Sequence, residues 1–387
     1  MDVGIIGAGL SGLVAAYTLL EDEERQRSTS GSQNSQESIP VKEVERKLRS
    51  ISIYEAHEIA GGRLVSTVEG IDLGGSWVFD GFKETEQLCG EVGIQLMRHP
   101  SRYSNDSRIV GGARKLIERL CKRISILAQR LNIRYELHLS SRVKSIEVNL
   151  QSPAKSISLT VETKRTFECT HVLMTVPPRV AAESITFSPP LSSKLLHQMK
   201  SQNTWMSSMG KIAFIYSTPW WRLLSTANGV GIDIDSMRPG GTGPIVQFMD
   251  ATSGPTELNE DMGEKDSVTY AIVAFVAPDV YEHDACIGQA VQQMKSFTKR
   301  LGYLDPPKKF EYKLWMKDED IFKALDGASS QSGAYYDHPR SWDSNSTLEL
   351  ENNNIWLCGT ETDTRNPGYI EGAVRVGRKS AQNLICR

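Results

Sequence analysis

The order of apolar and polar positions predicts a strand, a turn and a helix at the start of the chain. Residues 3–6 are a short apolar run, residues 7–12 have the sequence GAGLSG, and residues 13–20 are rich in aliphatic side chains at helical spacing. Residues 21–38 contain no aliphatic or aromatic side chain, so they have no apolar surface to bury. We therefore predict a disordered or flexible insertion over residues 21–50.

Further apolar runs predict more strands and helices. Runs bounded by turn residues predict strands at 51–54, 133–139, 143–148, 156–161, 171–176, 211–216, 267–276 and 355–358. Helical spacing predicts helices at 115–120, 285–301 and 370–385. A chain that opens on a strand, a glycine turn and a helix, and goes on to mix both element types, indicates an α/β fold.

Length, charge and cysteine content narrow the classes of function. The 387 residues are enough for two domains, and the formal net charge of -3 gives no basic excess to attract nucleic acid or anionic lipid. No apolar run approaches the ~20 residues of a membrane span, and Met1 stands just before the first predicted strand. We therefore expect a cytoplasmic protein without a membrane anchor. The 6 cysteines form no C-x-x-C pair and lie near no His at ligand spacing, so we expect no metal site. The sequence does not indicate an oligomeric state.

The turn GAGLSG has the form G-x-G-x-x-G, which binds the pyrophosphate of a dinucleotide. Gly7 permits the tight turn, Gly9 lets the backbone approach the phosphates, and Gly12 lets the helix pack on the strand. Ser11 belongs to the same cofactor-binding turn. Glu55 ends the next predicted strand and is expected to accept hydrogen bonds from ribose hydroxyls. It lies 55 − 12 = 43 residues after Gly12 instead of about 20, which the polar insertion explains. A solvated strand end is the alternative for Glu55.

A second glycine-rich turn near the end of the chain favours FAD over NAD. Residues 359–362 (GTET) follow a predicted strand, and residues 368–373 (GYIEGA) lead into the last predicted helix. The N-terminus of that helix can stabilise negative charge on the far end of a long cofactor, such as the edge of a reduced flavin. A nicotinamide dehydrogenase needs only the first motif.

On these and further motifs the sequence resembles the FAD-dependent amine oxidase family, which includes the monoamine and polyamine oxidases. The resemblance covers nearly the whole chain. In chain order its motifs are GAGLSG (7–12), Glu55, GGRLVST (61–67), DLGGSWV (72–78), GGARKLIERL (111–120), RVKSI (142–146), VPP (176–178), GKIAFIYSTPWWR (210–222), SGAYY (332–336) and GTETDTRNPGYIEGAVRVG (359–377). So many motifs in a fixed order do not arise by chance.

The resemblance implies a Rossmann-like, doubly wound FAD-binding domain interrupted by a mixed-sheet α+β substrate domain. The implied FAD-binding domain comprises residues 1–78, 109–180 and 340–387. The implied substrate-binding domain comprises residues 79–108 and 181–339. The flavin is then expected where the two domains meet.

The resemblance also assigns cofactor contacts residue by residue. Arg63 is implied at the FAD pyrophosphate, Val143 at the adenine through its backbone, and Glu361 at the phosphate and ribityl chain. The residues implied to approach the flavin or to complete the cofactor site are Leu64, Gly75, Ser76, Trp77, Gly368, Tyr369 and Ile370. A surface ion pair for Arg63 and a place in the sheet core for Val143 remain the alternatives.

Three residues are implied to carry the chemistry. Tyr335 and Tyr369 match the two aromatic positions that, in the family, enclose the amine against the flavin. Lys211 matches the family lysine that holds a water near flavin N5 and assists reoxidation by O2, and burial in its apolar strand should lower its pKa. A solvent-facing lysine is the alternative. Ala334 stands where monoamine oxidases carry the cysteine that bonds the flavin, so noncovalent FAD is implied.

The implied reaction oxidises a small-molecule amine by hydride transfer to FAD N5. O2 then reoxidises the flavin to give H2O2, and the imine is hydrolysed to an aldehyde and ammonia. Only 111 − 77 = 34 residues separate Trp77 from Gly111, where family members place a long helical part of the substrate domain, so the substrate does not carry over. Two alternatives stay open: a renalase-like or desaturase-type FAD oxidoreductase acting on a non-amine substrate, and a non-catalytic FAD-binding module.

Overall fold

The chain folds into two compact units, each discontinuous in sequence. The computed structural model describes residues 1–30, 48–99, 105–150, 156–224, 233–254, 268–277, 283–323 and 338–386. The first unit comprises Met1–Gly62, Ile117–Asn203 and Pro339–Arg387, and the second comprises Arg63–Leu116 and Thr204–His338.

A parallel five-stranded sheet forms the centre of the first unit. In sheet order its strands are β16 (Ile355–Leu357), β10 (His171–Met174), β1 (Asp2–Ile6), β2 (Ser50–Tyr54) and β6 (Arg134–His138). β1 pairs in parallel with β2 on one side and with β10 on the other. The strand order therefore reverses at β1, and open α/β sheets bind ligands at the carboxyl ends of the strands beside such a reversal.

A second, mixed sheet also belongs to the first unit. In sheet order its strands are β11 (Thr186–Ser188), β7 (Val143–Asn149), β8 (Ser156–Val161) and β9 (Thr166–Cys169). β11 is parallel to β7, and the other neighbours are antiparallel. Alternate residues of β8, namely Ile157, Leu159 and Val161, are buried, because one face of the strand covers the core.

The helices of the first unit surround these sheets. They are α1 (Leu10–Ser30), α4 (Pro178–Ser184), α5 (Ser193–Ser201), α7 (Leu348–Glu351), α8 (Ile370–Ile385) and most of α3 (Ala113–Leu131), with short 3-10 helices at Ser344–Thr347 and Thr360–Thr362. Helices α1 and α8 approach closely at Gly377, where a Cβ atom would lie 2.6 Å from Ser11 O and 3.0 Å from Val14 Cβ. At Gly12 a Cβ atom would lie 2.2 Å from Gly7 O, so α1 can begin tightly against the end of β1.

An antiparallel four-stranded sheet forms the centre of the second unit. In sheet order its strands are β13 (Ile245–Asp250), β14 (Tyr270–Val276), β12 (Gly210–Tyr216) and β15 (Lys309–Leu314). β12 is buried at every residue, and its side chains alternate between two cores. Ile212 and Phe214 join one core, and Ala213 joins the other together with Ile71. The same alternation puts Lys211 on the face of Ala213.

Within the described residues, the second unit also contains a small antiparallel sheet and two helices. The sheet order is β3 (Trp77–Val78), β5 (Ser107–Ile109) and β4 (Leu96–Arg98). The helices are α2 (Lys83–Glu91) and α6 (His283–Arg300), with 3-10 helices at Trp220–Leu223, Ile234–Ser236 and Trp315–Lys317. In the described ranges no helix is both long enough and apolar enough to cross a membrane.

The structure corrects the predicted insertion at its first ten residues and at its last three, where Leu48 is buried and Ser50 begins β2. Helix α1 continues to Ser30, so residues 21–30 are helical. Glu, Arg and Gln have good helix propensity, and Arg27 forms an i,i+4 ion pair with Glu23 at 2.9 Å, so a helix continues there without an apolar side. Residues 31–47 of the predicted insertion lie outside the described residues.

The boundaries and sheets of the two units differ from those expected for the two domains. Residues 63–78 and 109–116 belong to the second unit, and residues 181–203 belong to the first. The mixed sheet lies in the first unit, whereas both sheets of the second unit are antiparallel, because apolar alternation along one strand carries no information on the direction of its neighbour. The assignment of FAD and substrate to separate domains stays a prediction.

Substitution by alanine should change the free energy of unfolding in opposite directions at two glycines that lie inside helices. Gly377→Ala should lower the free energy of unfolding by about 1–3 kcal/mol, because its methyl group meets the backbone of α1. Gly288→Ala, in α6, has open space around its Cβ and should raise that free energy by about 0.5–1 kcal/mol. Thermal unfolding of both variants against wild type measures this. Equal effects of the two substitutions would contradict the close approach of α1 and α8.

Candidate active site

In the first unit, the predicted dinucleotide turn has the backbone geometry of an anion cradle. Helix α1 begins at Leu10 and has no acidic residue in its first turn, so its N–H groups can face an anion. Gly9 forms a parallel bridge with Gly61, and Gly61 N donates to Ala8 O at 2.9 Å. A Cβ atom at Gly62 would lie 3.2 Å from Gly9 Cα. Two glycine turns thus meet without side chains between them, which fits a pyrophosphate.

Glu55 lies at the carboxyl end of β2, as the sequence predicts, and is buried. Its Oε2 accepts from Ala8 N at 2.7 Å, and its Oε1 accepts from His57 N at 3.0 Å and contacts His57 Nδ1 at 2.8 Å. A carboxylate offers about four lone-pair sites, so Glu55 can hold the glycine turn and still accept a hydroxyl. This fits the ribose contact that we expect, which stays a prediction.

The C-terminal turn packs beside the dinucleotide turn. Ser11 Oγ donates to Cys358 O, which joins the start of α1 to the end of β16. Thr360 Oγ1 donates to Tyr369 O at 2.8 Å, and Gly368 N donates to Thr360 O at 3.3 Å. These bonds fix the entry to α8, so the first unit brings together residues that are more than 350 positions apart in the sequence (368 − 11 = 357).

The other predicted cofactor residues of the first unit differ in environment. Glu361 is fully buried, and Gln202 Nε2 donates to its carbonyl at 2.8 Å. Ile370 is buried at the start of α8, whereas burial of the half-buried Tyr369 raises the pKa of its hydroxyl, which therefore stays neutral. Val143 is buried in the core at the start of β7. Its role at the adenine stays a prediction.

In the second unit, residues 63–75 form a tight antiparallel turn that carries three of the predicted cofactor residues. Gly75 N donates to Arg63 O at 3.0 Å, and Leu73 N donates to Val65 O at 2.8 Å. Leu64, between these bonds, is buried. At Gly74 a Cβ atom would lie 1.9 Å from Arg63 O, so the two arms of the turn approach at a distance that only glycine allows.

Lys211 reaches this turn from β12 and is buried. Its Nζ donates to Gly74 O at 2.6 Å and to Ser76 Oγ at 2.7 Å, and it lies 4.9 Å from the centre of the Phe275 ring. Burial lowers the pKa of Lys211 to about 8, against the opposing charge of Asp72. Two predicted site residues, Lys211 and Ser76, are therefore in direct contact, and the solvent-facing alternative for Lys211 is wrong.

Trp77 follows Ser76, whose Oγ accepts from Lys211 Nζ at 2.7 Å. Its ring packs against the apolar cluster that contains Phe275, the ring under Lys211 Nζ. His99 meets the Trp77 ring in a perpendicular arrangement with 4.3 Å between ring centroids, and Arg108 Cζ lies 5.9 Å from the ring. The predicted residues Ser76, Trp77 and Lys211 thus form one site within the second unit.

Asp72 acts on Lys211 through its charge and binds the start of helix α3. Its Oδ1 accepts from Ala113 N at 2.8 Å and from Ser66 Oγ at 2.6 Å, and Ser66 Oγ accepts from Arg114 N at 3.0 Å. Together the two side chains satisfy the first N–H groups of α3. Burial raises the pKa of Asp72, and the Arg108 charge opposes that rise.

Some predicted residues cannot be located, and some important ones were missed. Tyr335 and Ala334 lie outside the described residues. Sequence reasoning missed Gln202, which also donates to Arg340 O at 2.9 Å, and it missed His99. Neither lies in a motif, so no local signal identifies it. Asp72 lies within the DLGGSWV motif, and that motif was the available signal.

Most of the chain matches the model of a known protein family. Residues 98–385 match the family model of the flavin containing amine oxidoreductases. The flavin-containing amine oxidase B of Cavia porcellus is 22% identical over 307 residues, which are 77% of this chain and 50% of that protein. An L-amino acid dehydrogenase of Synechocystis sp. is 25% identical over 247 residues, which are 62% of this chain and 45% of that protein. The chain thus spans about half the length of these curated relatives.

A solved structure extends the likeness to the fold. A putrescine oxidase, in its wild-type form bound to putrescine, superposes with a TM-score of 0.65 and 16% identity, covering 100% of this chain and 99% of that one. At this identity the likeness concerns the fold alone, and it is consistent with the Rossmann-like FAD-binding fold that we expect.

The buried Lys211 should make stability depend on pH. Its folded pKa of about 8 lies below the ordinary 10.5, so the unfolded chain binds more protons between these values. The free energy of unfolding of wild type minus that of Lys211→Met should therefore rise with pH in this range, by about 1 kcal/mol per pH unit. Urea unfolding at several pH values measures this difference.

Exposed Lys122 in α3 provides the matched control. Wild type minus Lys122→Met should show no such rise, because that ammonium stays in water in both states. The same flat result for Lys211→Met would show that Nζ is not buried.

Proposed function

Because this chain belongs to the family of flavin containing amine oxidoreductases, we propose that it is an FAD-dependent oxidoreductase that oxidises a small-molecule amine. The proposal rests on one observation above all, which is the buried amine of Lys211 held by Gly74 O and Ser76 Oγ. The curated relatives are about twice as long as the part they share with this chain, so activity, substrate and acceptor are all part of the proposal.

The cofactor of this proposal is noncovalent FAD. The turn at Gly7, Gly9, Ser11 and Gly12 would hold its pyrophosphate, and Glu55 its ribose. The further residues proposed to hold it are Arg63, Leu64, Gly75, Ser76, Trp77, Val143, Glu361, Gly368, Tyr369 and Ile370. When bound, FAD supplies an acceptor at N5 for the hydride that the amine loses, and its reoxidation by O2 gives H2O2.

Lys211 is proposed to act in its neutral form. A neutral amine has two N–H bonds, and the two acceptors Gly74 O and Ser76 Oγ match them. Its lone pair is then left to accept a hydrogen bond from a water. The pKa of about 8 makes this form accessible near neutral pH, which an exposed lysine does not allow.

The site is proposed to favour an amine that arrives without charge. The Phe275 ring lies 4.9 Å from Lys211 Nζ, and Trp77 packs against the cluster that contains Phe275. We propose that both rings present aromatic surface to the substrate, which solvates a neutral amine better than it solvates an ion lacking a counter-charge. Tyr369 and Tyr335 are proposed to enclose the substrate, as the resemblance implies. The resulting imine would be hydrolysed to an aldehyde and ammonia. A cytoplasmic location is also proposed.

Two alternatives keep some support. One similar relative is named a dehydrogenase of L-amino acids, which favours an acceptor other than O2. The short segment between Trp77 and Gly111 favours a renalase-like or desaturase-type reaction on a non-amine substrate. Dihydronicotinamides are the discriminating probes for the renalase-like reaction.

The FAD-loaded protein should lose its oxidised-flavin absorbance when mixed anaerobically with an amine. Putrescine, cyclohexylamine, benzylamine and a set of L-amino acids are the probes, and admission of O2 should restore the absorbance and release H2O2. The rate of flavin reduction by the amine should rise with pH through about 8, because Lys211 then becomes neutral. In Lys211→Met the rate should fall by about 100-fold or more and lose this pH limb.

Lys122→Met serves as the control and should keep both the rate and the limb. Bleaching by dihydronicotinamides without bleaching by any amine would replace the proposed reaction with the renalase-like one. Denaturation with acid should release FAD into the supernatant, and flavin that stays with the precipitated protein would refute noncovalent binding.

A further inference from the structure

The Trp77 ring is held by side chains that the family resemblance does not assign. Trp77 pairs with Arg108 across β3 and β5, and Arg108 pairs with Met97 across β5 and β4. Paired residues project on the same face of a sheet, and so does the residue two positions on. His99 is two positions after Met97, so the sheet brings its ring to the same face as the indole.

His99 is buried and is fixed at one ring nitrogen. Its Nε2 lies 2.5 Å from Asp235 Oδ2, and its backbone N donates to Asp106 O at 2.8 Å. A carboxylate only accepts, so Nε2 carries the proton and donates. Nδ1 has no hydrogen-bond partner within the ranges that the structure describes. The orientation of the ring therefore depends on Asp235.

Asp235 is itself held in place by the backbone. Its Oδ1 accepts from Asp250 N at 2.7 Å, and its own N donates to Asp233 Oδ1 at 3.0 Å. The carboxylate of Asp250 in turn accepts from Arg222 Nε at 2.7 Å. Asp235 is thus anchored at the end of β13 and does not need His99 to stay in position.

Arg108 is the second side chain near the indole, with its Cζ 5.9 Å from the ring. Its guanidinium is buried and donates to the carbonyls of Ala251 and Thr252, each at 3.2 Å. Burial lowers the pKa of Arg108, and the charges of Asp72, Asp250 and Asp235 oppose that change. Trp77 therefore has two side chains near its ring, His99 and Arg108, that are both fixed by residues 235–252.

We propose that His99, held by Asp235, is a positioning residue that fixes the Trp77 indole as a wall of the substrate site. The inference rests on the proposed function, in which Trp77 lines that site. Gly111 lies only 34 positions after Trp77 (111 − 77 = 34), so the perpendicular His99 ring supplies support for the indole from within this short segment. A fixed aromatic wall lowers the entropy that substrate binding loses.

The test compares His99→Gln with wild type, alone and in a Trp77→Phe background. Glutamine retains an N–H donor for Asp235 and removes only the ring. We expect KM for the best amine of the panel to rise about three- to tenfold, with kcat within about twofold, because the ring acts through substrate placement. In the Trp77→Phe background the substitution should change KM little, since the residue through which His99 acts is gone. Asp235→Asn should shift KM in the same direction.

A second readout does not depend on activity. The near-ultraviolet circular dichroism of Trp77 is the difference between the spectra of wild type and Trp77→Phe. The same difference, taken between His99→Gln alone and His99→Gln in the Trp77→Phe background, should have lost most of its amplitude. His197→Gln, at an exposed position of α5, should change neither KM nor this difference spectrum.

A lowered unfolding midpoint with an unchanged KM and an unchanged Trp77 spectrum would overturn the proposal, because His99 would then only stabilise the fold. An equal change in KM in both backgrounds would overturn it as well. Inactivity of wild type toward every amine refutes the proposed function instead, and the Trp77 spectrum still decides whether His99 positions the indole.

Discussion

The second unit is organised around one contact, that of Lys211 Nζ with Gly74 O and Ser76 Oγ. A lysine on a fully buried central strand is costly unless its hydrogens find acceptors. The turn at residues 63–75 provides them, because Gly74 lies so close to Arg63 O that its carbonyl is held at a defined place. Burial of the amine lowers its pKa to about 8, and that lowered pKa is the chemical property on which the proposed reaction depends.

The carboxylates near this amine in the second unit bond to other groups and not to Lys211 Nζ. The carboxylate of Asp72 caps α3, and the carboxylates of Asp235 and Asp250 hold His99, Arg222 and the backbone. None of these carboxylates is a hydrogen-bonded partner of Lys211. An ion pair with Lys211 Nζ would raise its pKa and keep it charged. The acids therefore position aromatic and helical elements, and the amine itself meets only neutral acceptors.

Much of the first unit was predictable because its chemistry is carried by the backbone. Gly7 and Gly12 are required by local geometry, and the strand before and the helix after this turn are visible as local apolar patterns. Glu55 was predictable as a strand end. The bond from Gln202 to Glu361 O was not, because a side chain that bridges 159 positions (361 − 202 = 159) leaves no periodicity in the sequence. The prediction of disorder for the polar part of α1 was wrong, because residues of good helix propensity continue the helix without apolar side chains.

The sequence alone indicated the types of the elements that it predicted, the glycine turn at residues 7–12 and the candidacy of Lys211, since each depends on neighbours within a few residues or on an ordered set of motifs. Tertiary structure decided what surrounds them. It put Lys211 on the face of β12 that meets Gly74, brought His99 and Arg108 to the Trp77 ring, and made Asp72 a helix cap. These contacts join segments far apart in the chain, and only the packing of one strand or turn against another determines which side chains meet.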